Sequence, residues 1–223
     1  MDPITIEKII RSKRKTIALV ITQDAALIVR APLFTPREYI ENLVRKKSAW
    51  IKQKIRDVKK RPDLVEKEFV NGEGFLYLGK TYKLQIIDDN LLDIEISDKL
   101  CISRKLLPDA RNHLKNWYKA EAEKKIIERC AYYKKITGYV PNTVKISNAE
   151  RRWGSCTSKG TLNFSWRLIM APLEIIDYVV VHEMIHLNQS DHSKIFWNKV
   201  RSILPDYEKR KIWLKEHEKL LQI

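Results

Sequence analysis

The 223-residue sequence has fewer acidic than basic residues and little cysteine, and it has no long apolar run and no internal repeat. Its three cysteines, Cys101, Cys130 and Cys156, make an odd set without a CxxC pair. That excludes a disulfide framework and fits a reducing compartment. No stretch reaches the roughly 20 apolar residues of a membrane span. The start MDPITIEKIIRSKRK places its basic cluster after a short apolar stretch, the wrong order for a secretory leader, so a cytoplasmic protein with no membrane partner is expected. With 44% hydrophobic and 32% charged residues, the chain is neither disordered nor collagen-like. Its length suits one compact domain or two small ones. The 28 acidic side chains face 43 basic ones, a net +15, and such a surface draws anions: nucleic acid, nucleotides or acidic proteins. Residues 1–68 carry +8 of that excess, and residues 69–107 carry −1.

Residues 16–30, rich in Val, Ile and Thr and broken by a polar QDA, read as a two-stranded hairpin. Thr35-Pro36-Arg37-Glu38 offers an N-cap, a first-turn proline and a capping-box Glu, which predicts a helix to about Asp57. A charged linker, RDVKKRPDLVEKE, follows. Turns at NGEG and LGK then divide residues 69–104 into a small antiparallel sheet. From Pro108 to Thr137, Leu114, Trp117, Tyr118, Ala122, Ile126, Cys130 and Tyr133 recur at helical spacing before a stop at Gly138. Next come strands at VKIS, RRWGSCT and TLNFSWRLI, a helix opened by Pro172, and helices over about 193–203 and 206–221 divided by Pro205. The expected fold is α+β: a mostly antiparallel β portion with one helix over residues 1–107, and an α+β domain over residues 108–223.

The helix after Pro172 carries His182-Glu183-Met184-Ile185-His186, an HExxH. Residues four apart on a helix lie about 40° apart in angle and one turn apart in height, so both imidazoles can reach one metal ion. Glu183 flanks that face, where it can take a proton from a metal-bound water without itself ligating. Two ordinary helix histidines are the bland alternative. Against it stands the apolar IIDYVVV, which would bury the helix and hold its ligands rigidly.

A third ligand is required. His192 is in range only if the chain leaves the helix after His186, because six further helical residues would turn it to the wrong side. Asn188, Ser190 and Asp191 are candidate breakers, Asn188 through the left-handed region. The competing ligands are Glu208, Glu216, Glu218 or His217. HExxHxxxxxH is the metzincin spacing, with Gln189 where that pattern has Gly. Three imidazoles with an open fourth position suit one zinc ion per chain.

The sequence resembles the YgjP-like metallopeptidase-type proteins, related to the WLM and SprT-type zincins. The residues that carry the likeness are Arg152-Trp153-Gly154-Ser155-Cys156, Leu168-Ile169-Met170-Ala171-Pro172, Ile176-Asp177-Tyr178-Val179-Val180-Val181-His182-Glu183, His192-Ser193 with Phe196-Trp197, Pro205-Asp206-Tyr207 and Trp213-Leu214. RKTIAL and LGKTY extend it over nearly the whole chain. The resemblance implies a zincin-like catalytic half, zinc on His182, His186 and His192, Glu183 as the acid/base, and a poorly defined substrate.

Candidate substrate contacts are Arg152, for an anion or as a structural ion pair, Trp153, and Tyr207, as an oxyanion donor or a packing residue. TLNFSWRLI is a candidate edge strand for peptide addition or a plain core strand. Cys156 reads as buried, and Trp197 and Trp213 as core. The Arg11–Lys15 cluster and the helix bearing Arg45, Lys46, Lys47, Lys52 and Lys54 form either a phosphate-binding face or a solvated surface. A zinc peptidase acting on a peptide or protein is the leading expectation. A metal-dependent hydrolase of nucleotide phosphoanhydrides and a nucleic-acid-associated zinc protein are its rivals.

Overall fold

The computed structural model describes residues 4–22, 24–59, 67–88, 93–150 and 152–223. It divides into two compact units, Met1–Leu64 and Val65–Ile223. The first begins with β1 (Ile6–Ser12), β2 (Ala18–Ile21) and β3 (Leu27–Pro32), in the order β1-β3-β2. β2 and β3 form the expected antiparallel hairpin, but β1 adds in parallel to β3, so the sheet is mixed. One face of β3, Leu27, Val29 and Ala31, is buried against Ile40, Val44 and Ile51 of two helices. Those helices are α1 (Arg37–Lys46) and α2 (Ser48–Lys59), where one continuous helix was expected. Three consecutive cations, Arg45 to Lys47, sit at the break, and positive charge favours a helix C-terminus. No side chain caps α1, so the predicted capping box is not formed. Of the basic cluster, Arg11 is committed to backbone, donating to the carbonyls of Leu33 at 3.1 Å and Thr35 at 2.6 Å. The expected charged linker falls largely on residues 60–66, outside the described residues.

The second unit opens with β4 (Gly74–Tyr77), β5 (Lys80–Ile87), β6 (Ile94–Ile96) and β7 (Leu100–Ser103), ordered β4-β5-β7-β6 with β5 and β7 parallel. This sheet too is mixed rather than antiparallel. Leu78 and Gly79, both at positive φ, make the two-residue turn between β4 and β5, whose backbone twist matches that of the flanking strands. The turn is locked by Leu78 N–H to the Ile169 carbonyl at 2.8 Å and Gly79 N–H to the Met170 carbonyl at 3.1 Å. A Cβ at Gly79 would come within 2.7 Å of Pro172.

A 3₁₀ turn (Arg104–Asp109) leads into α3 (Ala110–Thr137), which ends at Gly138 in the left-handed region as its spacing predicts. The buried stripe of α3 matches the predicted one except for Trp117, which is partly buried. Then come β8 (Thr143–Ser147), β9 (Gly154–Cys156), β10 (Thr161–Ser165), a second 3₁₀ turn (Trp166–Met170), α4 (Leu173–Ile185), α5 (Lys194–Ile203) and α6 (Tyr207–His217). Phe75, Leu84, Leu100 and Ile102 share one core with α3 and α4. The sheet of residues 69–104 therefore belongs with the second unit, and the division into compact units lies at 64/65 rather than 107/108.

The architecture is α+β. No helix among the described residues is long and apolar enough to cross a membrane.

Candidate metal centre

α4 is apolar on every side, and each residue from Ile175 to Val181 is buried. Such a helix is held from all directions by its neighbours. One polar link fixes it to α3: Arg129 donates to Asp177 through Nε (2.6 Å) and Nη2 (3.1 Å), with both side chains nearly enclosed. The C-terminal turn of this anchored helix carries His182, Glu183 and, just past its end, His186.

The chain then leaves the helix without any residue in the left-handed region. The expectation for Asn188 is therefore corrected. Backbone bonds from Leu187, Asn188 and Gln189 to Met184 and Ile185 wind up the last turn. Asp191 organises the return, accepting from the Gln189 side-chain amide (2.7 Å) and the Ser193 N–H (3.1 Å). Asn188 is drawn aside as acceptor for Lys199. His192 is thereby carried back over the end of α4.

The Nε2 atoms of His182, His186 and His192 stand 3.0–3.3 Å from one another. Ligand bonds of 2.0–2.1 Å at a tetrahedral centre require nitrogens about 3.3–3.4 Å apart, so the spacing fits a zinc-sized ion. Donor chemistry agrees. His186 Nδ1 donates to the Gln189 carbonyl at 2.9 Å, which in the neutral ring leaves Nε2 as a bare lone pair aimed at the other two rings. Burial, then the two neighbouring imidazoles and Lys211, pushes His182 down to about 3. Burial, His186 and Lys211 also lower His192, against the pull of Asp191. Neutral imidazoles are the ligating form.

These three are the candidate ligand cluster among the described residues. Glu208 instead pairs with Arg201 at 3.0 Å, and His217 stacks flat on Trp213. Aromatic rings brace the triad: Phe196 lies 4.5–4.9 Å from all three imidazoles, and Trp197 stacks on His192 at 5.7 Å.

Glu183 is 5% exposed. Burial pushes its carboxyl up to about 7, with Arg152 pulling the other way. Its side chain lies against Gly154 of β9, where a Cβ would meet Glu183 Cγ and Oε1 at 2.6 Å. Gly154 is the site residue that the sequence reading passed over. Its one sequence signal is a glycine between Trp153 and Ser155 in a strand, a mark of close approach.

Among the described residues β9 pairs only with β10, and β10 is flanked by both β8 and β9. The edge beside α4 is thus β9, and the expected edge strand TLNFS is the centre of its sheet. A cavity of about 190 Å³ opens there, lined by Trp153, Gly154, Tyr178, Val179, His182, Glu183 and Leu214. Tyr178, buried except toward this cavity, is a second residue not singled out from sequence. Burial, with Tyr207 and Glu183 nearby, pushes its phenol up to about 12. Tyr207 does not line the cavity: its ring stacks on Trp197 at 5.3 Å and its hydroxyl donates to Glu208 at 3.1 Å. Arg152 is exposed at the mouth of β9. Cys156 is half-buried rather than enclosed, close enough to Glu183 for that carboxylate, after burial, to raise its thiol.

A family model described as YgjP-like, metallopeptidase domain, matches residues 15–217. Among solved structures, the metallopeptidase zymogen of Pyrococcus abyssi abylysin aligns with a TM-score of 0.38 at 21% identity, covering 41% of this chain and 93% of that one. No curated protein matches the chain.

Proposed function

The chain belongs to the YgjP-like metallopeptidase family, and from that premise we propose a zinc peptidase in which His182, His186 and His192 hold the ion and Glu183 is the general base. The observation that carries this reading is the convergence of three imidazole nitrogens within 3.0–3.3 Å beside a buried carboxylate. A bound zinc ion supplies a lowered pKa to a water molecule and polarisation to a carbonyl oxygen.

The protein's own groups do the rest. An extended peptide pairs with the free edge of β9, which brings a backbone carbonyl alongside the triad. The neighbouring side chain enters the cavity between Trp153, Val179 and Leu214. Glu183 accepts a proton from the attacking water and passes it to the departing amine nitrogen. Its burial keeps that proton transfer away from bulk solvent, and contact with Gly154 fixes its position. Tyr178, a phenol that stays protonated, faces the same cavity as a hydrogen-bond donor.

Elemental analysis of wild type and of His192→Ala, paired with hydrolysis of a peptide mixture by Glu183→Gln, tests the assignment. About one zinc per wild-type chain, lost in His192→Ala, is expected. Glu183→Gln should keep the metal and lose about 10²- to 10⁴-fold in rate, the usual worth of general base catalysis. Wild-type hydrolysis by Glu183→Gln would overturn the role. Chelator-sensitive release of phosphate or pyrophosphate from a nucleoside triphosphate, without peptide cleavage, would replace the peptide bond by a phosphoanhydride.

A further inference from the structure

Two cations, Arg152 and Lys211, adjoin residues that build the centre, and neither is in a salt bridge among the described residues. Lys211, on α6, lies 4.5 Å above the Trp197 ring, which itself stacks on His192 at 5.7 Å. Arg152 is exposed immediately before Trp153 and Gly154, which line the cavity.

Their surroundings differ from the rest of this face. Arg201 and Arg210 are paired with Glu208 and Asp206 at 3.0 Å. Asp191, the nearest acid on the loop, already accepts from Gln189 and Ser193. Two positive charges from separate elements thus lie beside residues of the centre without a salt-bridge partner among the described residues.

We propose that Arg152 and Lys211 select substrates with acidic side chains on the residues flanking the scissile bond, next to an apolar side chain in the cavity of Trp153, Val179 and Leu214. This rests on the peptidase reading and adds the substrate class to it. Both cations are partly or fully in solvent, so each contact carries the modest, salt-screened strength of an exposed charge pair. Together they confer a preference of about three- to tenfold at low ionic strength.

The test uses binding to the zinc-loaded protein, so that it does not depend on turnover. Three short peptide hydroxamates share length and one apolar residue and carry Glu, Gln or Lys on either side of it. Titration calorimetry at low and high salt gives their affinities for wild type, the Arg152→Ala/Lys211→Ala double variant and Lys211→Glu. The Glu probe should bind about three- to tenfold more tightly than the Gln probe and the Lys probe least. The preference should fall to about one in the double variant and shift toward Lys in Lys211→Glu. Equal affinities for the three probes in wild type would overturn the selectivity and leave the peptidase reading standing. No binding of any hydroxamate to protein that holds its zinc would overturn both. Tighter binding of a nucleoside triphosphate than of the Glu probe, lost in the same variants, would assign the two cations to phosphate and overturn the proposal.

Discussion

Gly154→Ala adds one methyl group at the place where β9 presses on the proposed base. The new Cβ would lie 2.6 Å from Glu183 Cγ and Oε1 and 2.8 Å from Cδ, whereas ordinary contact begins at 3.4 Å. Something must therefore give way by about 0.8 Å. Gly154 is not among the glycines at positive φ, so alanine is conformationally acceptable and the whole effect is one of space. If the carboxylate retreats, the proton acceptor is misplaced by nearly 1 Å, a displacement that costs about 10²-fold in rate, or roughly 2.7 kcal/mol of barrier. If β9 moves outward instead, the groove between strand and metal helix changes shape, and KM rises more than kcat falls. In both cases the core is overpacked, at about 1–3 kcal/mol, or about 2–12 °C in Tm for a unit of this size. The assay pairs steady-state hydrolysis of a fluorogenic peptide with zinc content and thermal melting. Gly72→Ala is the control, since its φ is +86° and nothing lies within 4 Å of the added Cβ. It should lose stability by backbone strain while kcat and KM hold. Wild-type kcat/KM in a fully zinc-loaded Gly154→Ala protein would refute the argument that this glycine positions Glu183.

Two further outcomes follow from the packing of α4. Asp177→Ala strands Arg129 in a nearly enclosed site and should cost about 3–5 kcal/mol, the penalty for breaking a buried pair, read as a lowered denaturation midpoint. Replacing both partners by apolar residues should recover much of that loss. Removing the metal with a chelator should abolish hydrolysis but leave the far-ultraviolet circular dichroism of a folded protein. Re-adding free zinc at about a hundredfold excess over its Kd should raise stability by only about 2.7 kcal/mol. A chelated protein that is unfolded at 25 °C would contradict this.

What the sequence made legible is what short-range pattern encodes. HExxH falls where predicted because four-residue spacing and an apolar lead-in are local facts, and α3 ends at Gly138 because a left-handed stop is readable from one residue. The place of His192 was legible as a condition, since helix geometry lets it join the other two imidazoles only if the chain turns after His186. The means of turning was legible only in part, as three candidate breakers, Asn188, Ser190 and Asp191, with Asn188 favoured. Asp191, through two hydrogen bonds, does what Asn188 in the left-handed region was expected to do. Strand order stayed hidden for a different reason: alternation reports which face a residue shows, not which strand lies beside it. TLNFS thus gave no sign of being central, nor β5 and β7 of running parallel. Gly154 belongs to the same class, because its value depends on a helix that approaches from about thirty residues further along the chain. The division at 64/65 falls within the charged linker, where the charge balance also changes, but that the following sheet joins the second unit depends on the core shared by Phe75, Leu84 and Leu100 with α3 and α4, which no local pattern marks.

The arrangement of the three imidazoles is a property of the fold before it is a property of any ion. His182 and His186 extend a helix whose preceding residues are buried on all sides, and His186 is oriented by a backbone carbonyl. Phe196, fully buried, touches all three rings. In small zinc-dependent domains the metal supplies the folding energy itself. Here a core of buried side chains surrounds the helix, so a bound ion should meet ligands already held by packing and spend little of its binding energy on arranging them. The same rigidity makes the site intolerant of small errors. With His182, His186 and the Glu183 carboxylate held at the end of α4, one distance that matters is that between α4 and the strand facing it. That distance is set at Gly154, where the absence of a side chain lets the strand approach Glu183.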